Sequence, residues 1–230
     1  MTIQHKRQQM LDFGIAVGPQ VYRILRDRII RNDLEPGIRI SESEIAAEYA
    51  ISRQPVREAF IKLSEERLVE IRPQRGTFVR KIDGESVMDA RFVREAVEAD
   101  VVKQLAGNAE AETVARLRRE ISAQREAAGD PVRFMELDER FHALLADVAG
   151  KARVWKYLEG LKSQMDRVRH LSMMRFPVPK LITQHAAIVE AIAKRDQDGA
   201  EAAMRGHLRE ILNDLPAIEE ANPEFFENRP

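Results

Sequence analysis

In "ELDERFHALLADV", Asp138 and His142 stand four residues apart. On a helix that spacing stacks a carboxylate and an imidazole on one face. Phe134, Leu137, Phe141 and Leu145 fall on the adjoining stripe, so the pair is expected to point into a helical interior. His185, opening "QHAAIVEAI", and His207, in "RGHLREIL", also sit beside apolar positions. If the three helices converged, one hard carboxylate and three imidazoles would suit Zn²⁺, Mn²⁺ or Ni²⁺ and leave a coordination position open. The chain has no cysteine, so any metal must rest on His, Asp or Glu. Spacing alone does not bring the helices together, and a histidine on an apolar face equally suits a hydrogen-bonded core position.

A second group has a different chemistry. In "ISRQPVREAF", Ser52 is placed to cap a helix, and Pro55 falls in its first turn, where a missing N–H costs nothing. With Val56 and Phe60 turned inward, Arg53, Gln54 and Arg57 face outward. Arginine pairs bidentately with guanine and glutamine with adenine, so these types suit direct readout in a major groove. The tip Gln74-Arg75-Gly76-Thr77 has the length to reach an adjacent minor groove or its phosphates. A charged helix face can also be merely solvated. The preceding capped helix and the basic, glycine-tipped hairpin favour the reading head.

The elements that would carry these residues are legible in the pattern. From Gly18, Val21, Ile24, Leu25, Arg28 and Ile29 keep helical spacing until the turn at Pro36-Gly37. Ser41 and Glu44 form a capping-box pattern ahead of Ile45, Ala46 and Tyr49. The Ser52 helix follows, with Val56, Phe60 and Leu63 on one face; then "LVEIRP" and "TFVRKI" alternate as strands joined by "QRG". Three helices and a hairpin are a winged helix-turn-helix layout. Beyond Asp83 only helical pattern remains, in six segments near 84–107, 110–128, 131–149, 151–175, 180–196 and 197–213. Short breaks between amphipathic helices imply an antiparallel bundle. The expected organisation is a flexible arm at 1–17, a winged helix at 18–82, a helical domain at 83–222 and a tail at 223–230. The fold class is mainly α.

Residues 1–82 hold 15 Lys and Arg against 11 Asp and Glu, and residues 83–230 hold 22 against 27. A basic front and an acidic rear suit a nucleic-acid binder with a separate regulatory domain. No apolar run reaches the length of a membrane span, and "MTIQHKRQQM" lacks the apolar stretch of a signal peptide, so the expectation is a cytoplasmic protein without a membrane partner.

The stretch from Val21 to Ile82 resembles the winged-helix domain of the GntR family of bacterial transcription regulators. The matching marks are the Leu34 to Gly37 turn, Ser41-Glu42, "SRQPVREA", Leu63, Leu68-Val69 and the Gly76 wing. The resemblance implies that Arg53 and Arg57 contact DNA with Gln54 beside them, and that the wing approaches the minor groove. The DNA-facing set is then Ser43, Ser52, Arg53, Gln54, Arg57, Arg75, Gly76 and Thr77. Ser43 stands where the family often has an arginine that touches DNA. Ala50 and Arg67 stand where glycine is common, at helix ends that favour a left-handed conformation.

The stretch from Glu85 to Ala221 is similar to the FCD domain, the six-helix effector domain of one large, fatty-acid-regulator-like GntR subgroup. In that subgroup an Asp and three His in this order bind a divalent metal; carried over, they are Asp138, His142, His185 and His207. Its "R-x-x-L-E" matches Arg94-Glu95-Ala96-Val97-Glu98, which implies that Arg94 faces an effector pocket. His170 lies outside the pattern and is read as structural or pocket-lining. The resemblance implies a homodimer that binds palindromic operator DNA, a repressor of a catabolic operon. Its effector would be a small organic or sugar acid bound at the metal. Two alternatives stand beside it: a regulator sensing the metal alone and, remotely, a metal-dependent hydrolase with an adaptor. The latter lacks an evident general base beside the ligands, so the expectation is not an enzyme.

Overall fold

The computed structural model describes residues 10–175 and 178–227 and divides into two compact units, 1–82 and 83–230. The first unit follows the pattern. Helix α1 (Val17–Ile30) buries Val21, Ile24, Leu25 and Ile29 against α3 (Arg53–Glu65), which returns Val56, Ala59, Phe60 and Leu63. Between them lie the two-residue strand β1 (Arg39–Ile40) and the short helix α2 (Glu42–Glu48). Strands β2 (Val69–Arg72) and β3 (Gly76–Val79) make the hairpin, and β1 joins it to give the antiparallel order β1-β3-β2. The pair Arg39–Ile40 is too short for any period to announce it, so β1 was not expected.

Ser41 and Ser52 occupy the N-cap positions of α2 and α3 with extended backbone, yet neither side chain bonds its helix. The capping box is therefore present in sequence and unused in structure. Acids in the first turn of α2, Glu42 and Glu44, favour the positive end of the helix instead. Ala50 (φ 53°) and Arg67 (φ 57°) do adopt the left-handed conformation, each directly after a helix.

The second unit is entirely helical among its described residues, apart from a bridging residue near its end. Its helices are α4 (Gly84–Asn108), α5 (Ala111–Glu126), α6 (Pro131–Val148), α7 (Ala152–Leu161), α8 (Ser163–Arg175), α9 (Val178–Ala193), α10 (Gln197–Arg209) and α11 (Ile211–Ala221). Helix α4 is central: it packs against α6, α8, α9 and α10 and buries residues on several faces. Asp83, Asp130 and Asp196 cap α4, α6 and α10 by accepting from backbone N–H groups at 3.1, 3.0 and 2.9 Å.

The helical stretch expected at 151–175 is two helices, α7 and α8, that meet at Lys162. The segment expected to end at 213 stops at Arg209, and α11 follows with Pro216 inside it. Part of the expected arm, residues 1–9, lies outside the described residues. The remainder is tied down, because the Gln20 side chain bonds the backbone N–H and carbonyl of Asp12 at 2.9 and 2.8 Å. In the expected tail, Pro223–Phe225 forms a single 3₁₀ turn and Phe226 is buried; residues 228–230 lie outside the described set.

Candidate metal centre and nucleic-acid interface

Helix α6 brings Asp138 and His142 to one face, α9 brings His185 and α10 brings His207. One ligand atom from each of the four lies within 4.8 Å of all the others, and all four residues are at most 5% exposed. The sequence-expected ligands therefore meet.

Their hydrogen bonds fix how they meet. His142 Nδ1 bonds Glu98 Oε2 at 2.5 Å, His185 Nδ1 bonds Gln124 Oε1 at 2.8 Å and His207 Nδ1 bonds Gln184 Oε1 at 3.1 Å. Carboxylate and amide oxygens only accept, so each Nδ1 carries the proton and each Nε2 is left with a lone pair. Those three lone pairs face one another: His207 Nε2 is 3.2 Å from both His185 Nε2 and His142 Nε2. Burial pushes all three imidazoles toward the neutral form. His142 and His207 fall well below the usual histidine value, and His185 is pushed down to about 4 against the opposing pull of Asp138.

Asp138 supplies the charge. Burial would raise its carboxyl, but the Arg169 guanidinium beside it holds it well below the usual carboxylate range. Arg169 Nη2 binds its Oδ2, whereas its Oδ1 is buried without a hydrogen-bond partner among the described residues, 3.5 Å from His185 Nε2. Three converging lone pairs and an orphaned carboxylate oxygen repel unless a cation lies among them. Ligands bound at about 2.1 Å to a divalent ion stand about 3.0–3.5 Å apart, close to the 3.2, 3.2 and 3.5 Å found for three of the pairs, and all four ligand atoms lie within 4.8 Å of one another. The donor set fits a borderline transition ion, and each imidazole has the outer hydrogen bond that orients a metal ligand. Sequence reasoning missed Arg169, Glu98, Gln124 and Gln184. Arg169, Glu98 and Gln124 reach the centre from helices that carry none of the four residues, so no spacing to a ligand marks them, whereas Gln184 directly precedes His185 on α9 and Glu98 closes the motif that begins at Arg94.

Arg94 is fully buried on α4, beside the centre. Its Nε donates to Glu98 Oε1 at 2.6 Å, and the other oxygen of Glu98 holds His142, so one carboxylate links Arg94 to a ligand. Nη2 of Arg94 has no hydrogen-bond partner among the described residues. Arg94, Arg169 and His207 line one recess together with Ser172 and Asp214. His170 is half-buried on α8 and belongs neither to the four-residue cluster nor to the recess lining.

In the first unit Ser43, Ser52, Arg53, Gln54, Arg57 and Arg75 are exposed, and Gly76 is partly so. Arg53 pairs with Glu42 at 3.1 Å and Gln54 with Glu58 at 3.0 Å, both in solvent, while Arg57 has no ion pair among the described residues. An exposed pair is worth at most about 1 kcal/mol, so Arg53 is readily released to another anion. Thr77 is different. Opposite Ile40 and Ile71 in β3 it is only 7% exposed, so its side chain is turned away from the surface it was expected to share. Gly76 has φ +105°, and a Cβ there would stand 2.6 Å from Arg39 Nε; the wing thus packs a further arginine against its turn.

Residues 18–79 match the bacterial regulatory proteins of the gntR family, and residues 89–210 match the FCD domain. The chain belongs to the GntR family. It is 40% identical over 213 residues to the HTH-type transcriptional repressor RspR of Escherichia coli (strain K12), across 91% of this chain and 93% of that protein. It is 28% identical to the probable D-xylose utilization operon transcriptional repressor of Paenarthrobacter nicotinovorans, across 90% and 91%. A crystal structure of a putative GntR regulator from Rhodococcus sp. RHA1 superposes with a TM-score of 0.70 at 29% identity, over 87% of this chain and 98% of that one. This GntR protein is thus a transcription regulator with a DNA-binding winged helix and an FCD domain, and not an enzyme. None of its described helices is long and apolar enough to cross a membrane.

Proposed function

We propose that this regulator is a cytoplasmic, homodimeric repressor of a catabolic operon whose operator affinity is set by a small organic or sugar acid. The acid binds at a divalent ion, Zn²⁺, Ni²⁺ or Mn²⁺, held by Asp138, His142, His185 and His207. The ion supplies an open coordination position for a carboxylate oxygen. The observation that carries this reading is Arg94, which lines the recess that His207 also lines and whose buried Nη2 has no hydrogen-bond partner among the described residues. An unpaired guanidinium N–H costs free energy unless an anion completes it. A carboxylate that shares one oxygen with the ion and another with Arg94 would do so. An ion alone would leave that donor unmet, which favours effector sensing over sensing of the metal itself.

On the other unit, the exposed Arg53, Gln54 and Arg57 form the reading face of α3, supported by Ser43, Ser52, Arg75 and Gly76 at its borders. Arg39, beside Gly76, adds a phosphate-facing charge. Names given to similar regulators, a repressor among them, support the sign of control. The effector acts only if it binds the DNA-competent and DNA-incompetent states with different affinity.

The test is a gel-shift titration on the gene's own upstream DNA at matched salt, with metal alone, with organic and sugar acids alone, and with both. Release that requires metal and acid together is the expected result. Release by metal alone would replace this reading with metal sensing, and DNA affinity indifferent to every combination would remove effector control.

A further inference from the structure

The recess beside the metal centre has an ordered wall. Met165, Arg169 and Ser172 lie at i, i+4 and i+7 on α8, which puts them on one face of that helix. Each of the three touches a different functional group. Arg94 Nη1 lies 3.9 Å from Met165 Sδ, Arg169 binds Asp138, and Ser172 Oγ donates to Asp214 Oδ2 at 2.8 Å. At about 1.5 Å of rise per residue, the Arg94 end and the Asp214 end are on the order of 10 Å apart along α8, with the metal ligand between them. All of these residues except Asp138 line the same recess.

The charges along this wall are nearly all matched. Arg94 is paired with Glu98, Arg169 with Asp138, and Glu210 with Lys180 at 2.5 Å. Glu210 is further held by Gln184 at 2.9 Å and Asn213 at 3.4 Å. Asp214 is not matched in this way: its one hydrogen bond among the described residues comes from the neutral Ser172 hydroxyl. Asp214 itself lines the recess, and its other oxygen accepts no hydrogen bond among the described residues. Lys180 also feels Asp214, but it is bonded to Glu210 and so shares one positive charge between two carboxylates. With neutral imidazoles, the divalent ion and Asp214 remain as the charges that a single ligand carboxylate completes.

We infer that Asp214, positioned by Ser172, selects the effector by its far end. The ligand is a monocarboxylate that also carries hydrogen-bond donors, hydroxyl or ammonium, some five or six atoms from the carboxyl group. This rests on the reading that an acid binds between Arg94 and the metal. A donor at the far end satisfies the free Asp214 oxygen, whereas an alkyl end strips water from it and a second carboxylate is repelled. The selectivity is thus partly attractive and partly repulsive, and Asp214 provides both.

Four six-carbon acids separate these cases by isothermal calorimetry on the full-length Ni²⁺-loaded protein: gluconate, 6-aminohexanoate, hexanoate and adipate. Metal content is checked after each titration. Gluconate or 6-aminohexanoate is expected to bind at least about tenfold more tightly than hexanoate, with adipate weakest, a margin in keeping with one hydrogen bond to a charged group. Which of the two binds tells hydroxyl from ammonium. In Asp214→Asn the margin over hexanoate should shrink and adipate should gain. Hexanoate or adipate binding the wild-type protein as tightly as the donor-bearing acids would overturn this inference and leave the carboxylate reading intact. No binding by any of the four, with metal in place, would overturn both.

Discussion

At the level of single residues, the proposed metal centre turns on which nitrogen carries the proton. Glu98, Gln124 and Gln184 each take one Nδ1 proton and so aim the opposite nitrogen inward. Replacing His185 and His207 together by alanine removes two of the three inward lone pairs. Elemental analysis of the purified variant should find the divalent ion lost, with circular dichroism confirming that the helices persist; retention of a full equivalent would show that the ion sits elsewhere. The chain also carries its own reporter. Its single tryptophan, Trp155, is stacked on His142 with ring centroids 6.2 Å apart and planes 4° apart. Adding Ni²⁺ to metal-free protein should quench tryptophan emission at one equivalent, and unchanged emission during stoichiometric uptake would exclude binding at His142. On the DNA side, Arg57 is exposed and has no ion pair among the described residues, so Arg57→Ala should leave the melting temperature within about 1 °C while lowering operator affinity at least tenfold in a gel shift. An unaltered gel shift would remove Arg57 from the reading face.

At the level of elements, the fold was readable where local chemistry decides it and hidden where tertiary packing does. Glycine, proline and aspartate mark the starts of α4, α6 and α10, and the i, i+4 spacing of Asp138 and His142 held because both lie within α6. The break between α7 and α8 has no such mark. It falls at Lys162, whose side chain is only 2% exposed and whose ammonium is held by Glu139 at 2.6 Å and Asp166 at 2.8 Å. A charged residue reads as surface in sequence, and only the acids from other turns explain why it is inside. Helix α11 was missed because Pro216 ordinarily ends a helix rather than sitting within one. The left-handed residues were legible as missing glycines, and they give a prediction at this scale. Ala50 and Arg67 hold φ of 53° and 57° at helix ends, a conformation that costs a non-glycine residue about 1–2 kcal/mol. Glycine gives some of that back through the freedom of its unfolded chain, so Ala50→Gly and Arg67→Gly should each stabilise the winged helix by about 0.5–1 kcal/mol in thermal denaturation. Gly76→Ala should do the reverse, because its Cβ would meet Arg39 at 2.6 Å in a backbone already at φ +105°. A lower melting temperature for Arg67→Gly would show that its side chain contributes more than its backbone costs.

At the level of the whole molecule, the two units have separate cores. One is built on Val21, Leu25, Val56, Phe60 and Leu63, and the other on Val102, Leu117, Phe134, Phe141, Ile188 and Met204. The four proposed metal ligands sit inside the second, and the rings of Phe134 and Phe141 stack on His185 at 6.5 and 4.6 Å. Metal binding and the packing of α6, α9 and α10 should therefore be one cooperative event. Without the ion, the buried Nε2 lone pairs and the Asp138 oxygen lose their common partner, and each such group costs about 1–3 kcal/mol when left unsatisfied. A ligand that binds only the folded state stabilises it by RT ln(1 + [L]/Kd), about 4 kcal/mol at a thousandfold excess over Kd. That stabilisation belongs to the unit whose core the ion completes. Hydrogen exchange of the full chain, read by mass spectrometry, should show this directly. Stripping the ion with a chelator should speed exchange in peptides from α6, α9 and α10 by up to the factor that free energy implies, about a thousandfold. Peptides from α1 and α3 should be unaffected. Equal acceleration in α1 and α3 would mean that the ion stabilises the chain as a single cooperative body. Its removal would then act on the DNA-binding helix through global unfolding, and metal-dependent DNA binding could no longer be taken as a regulatory response.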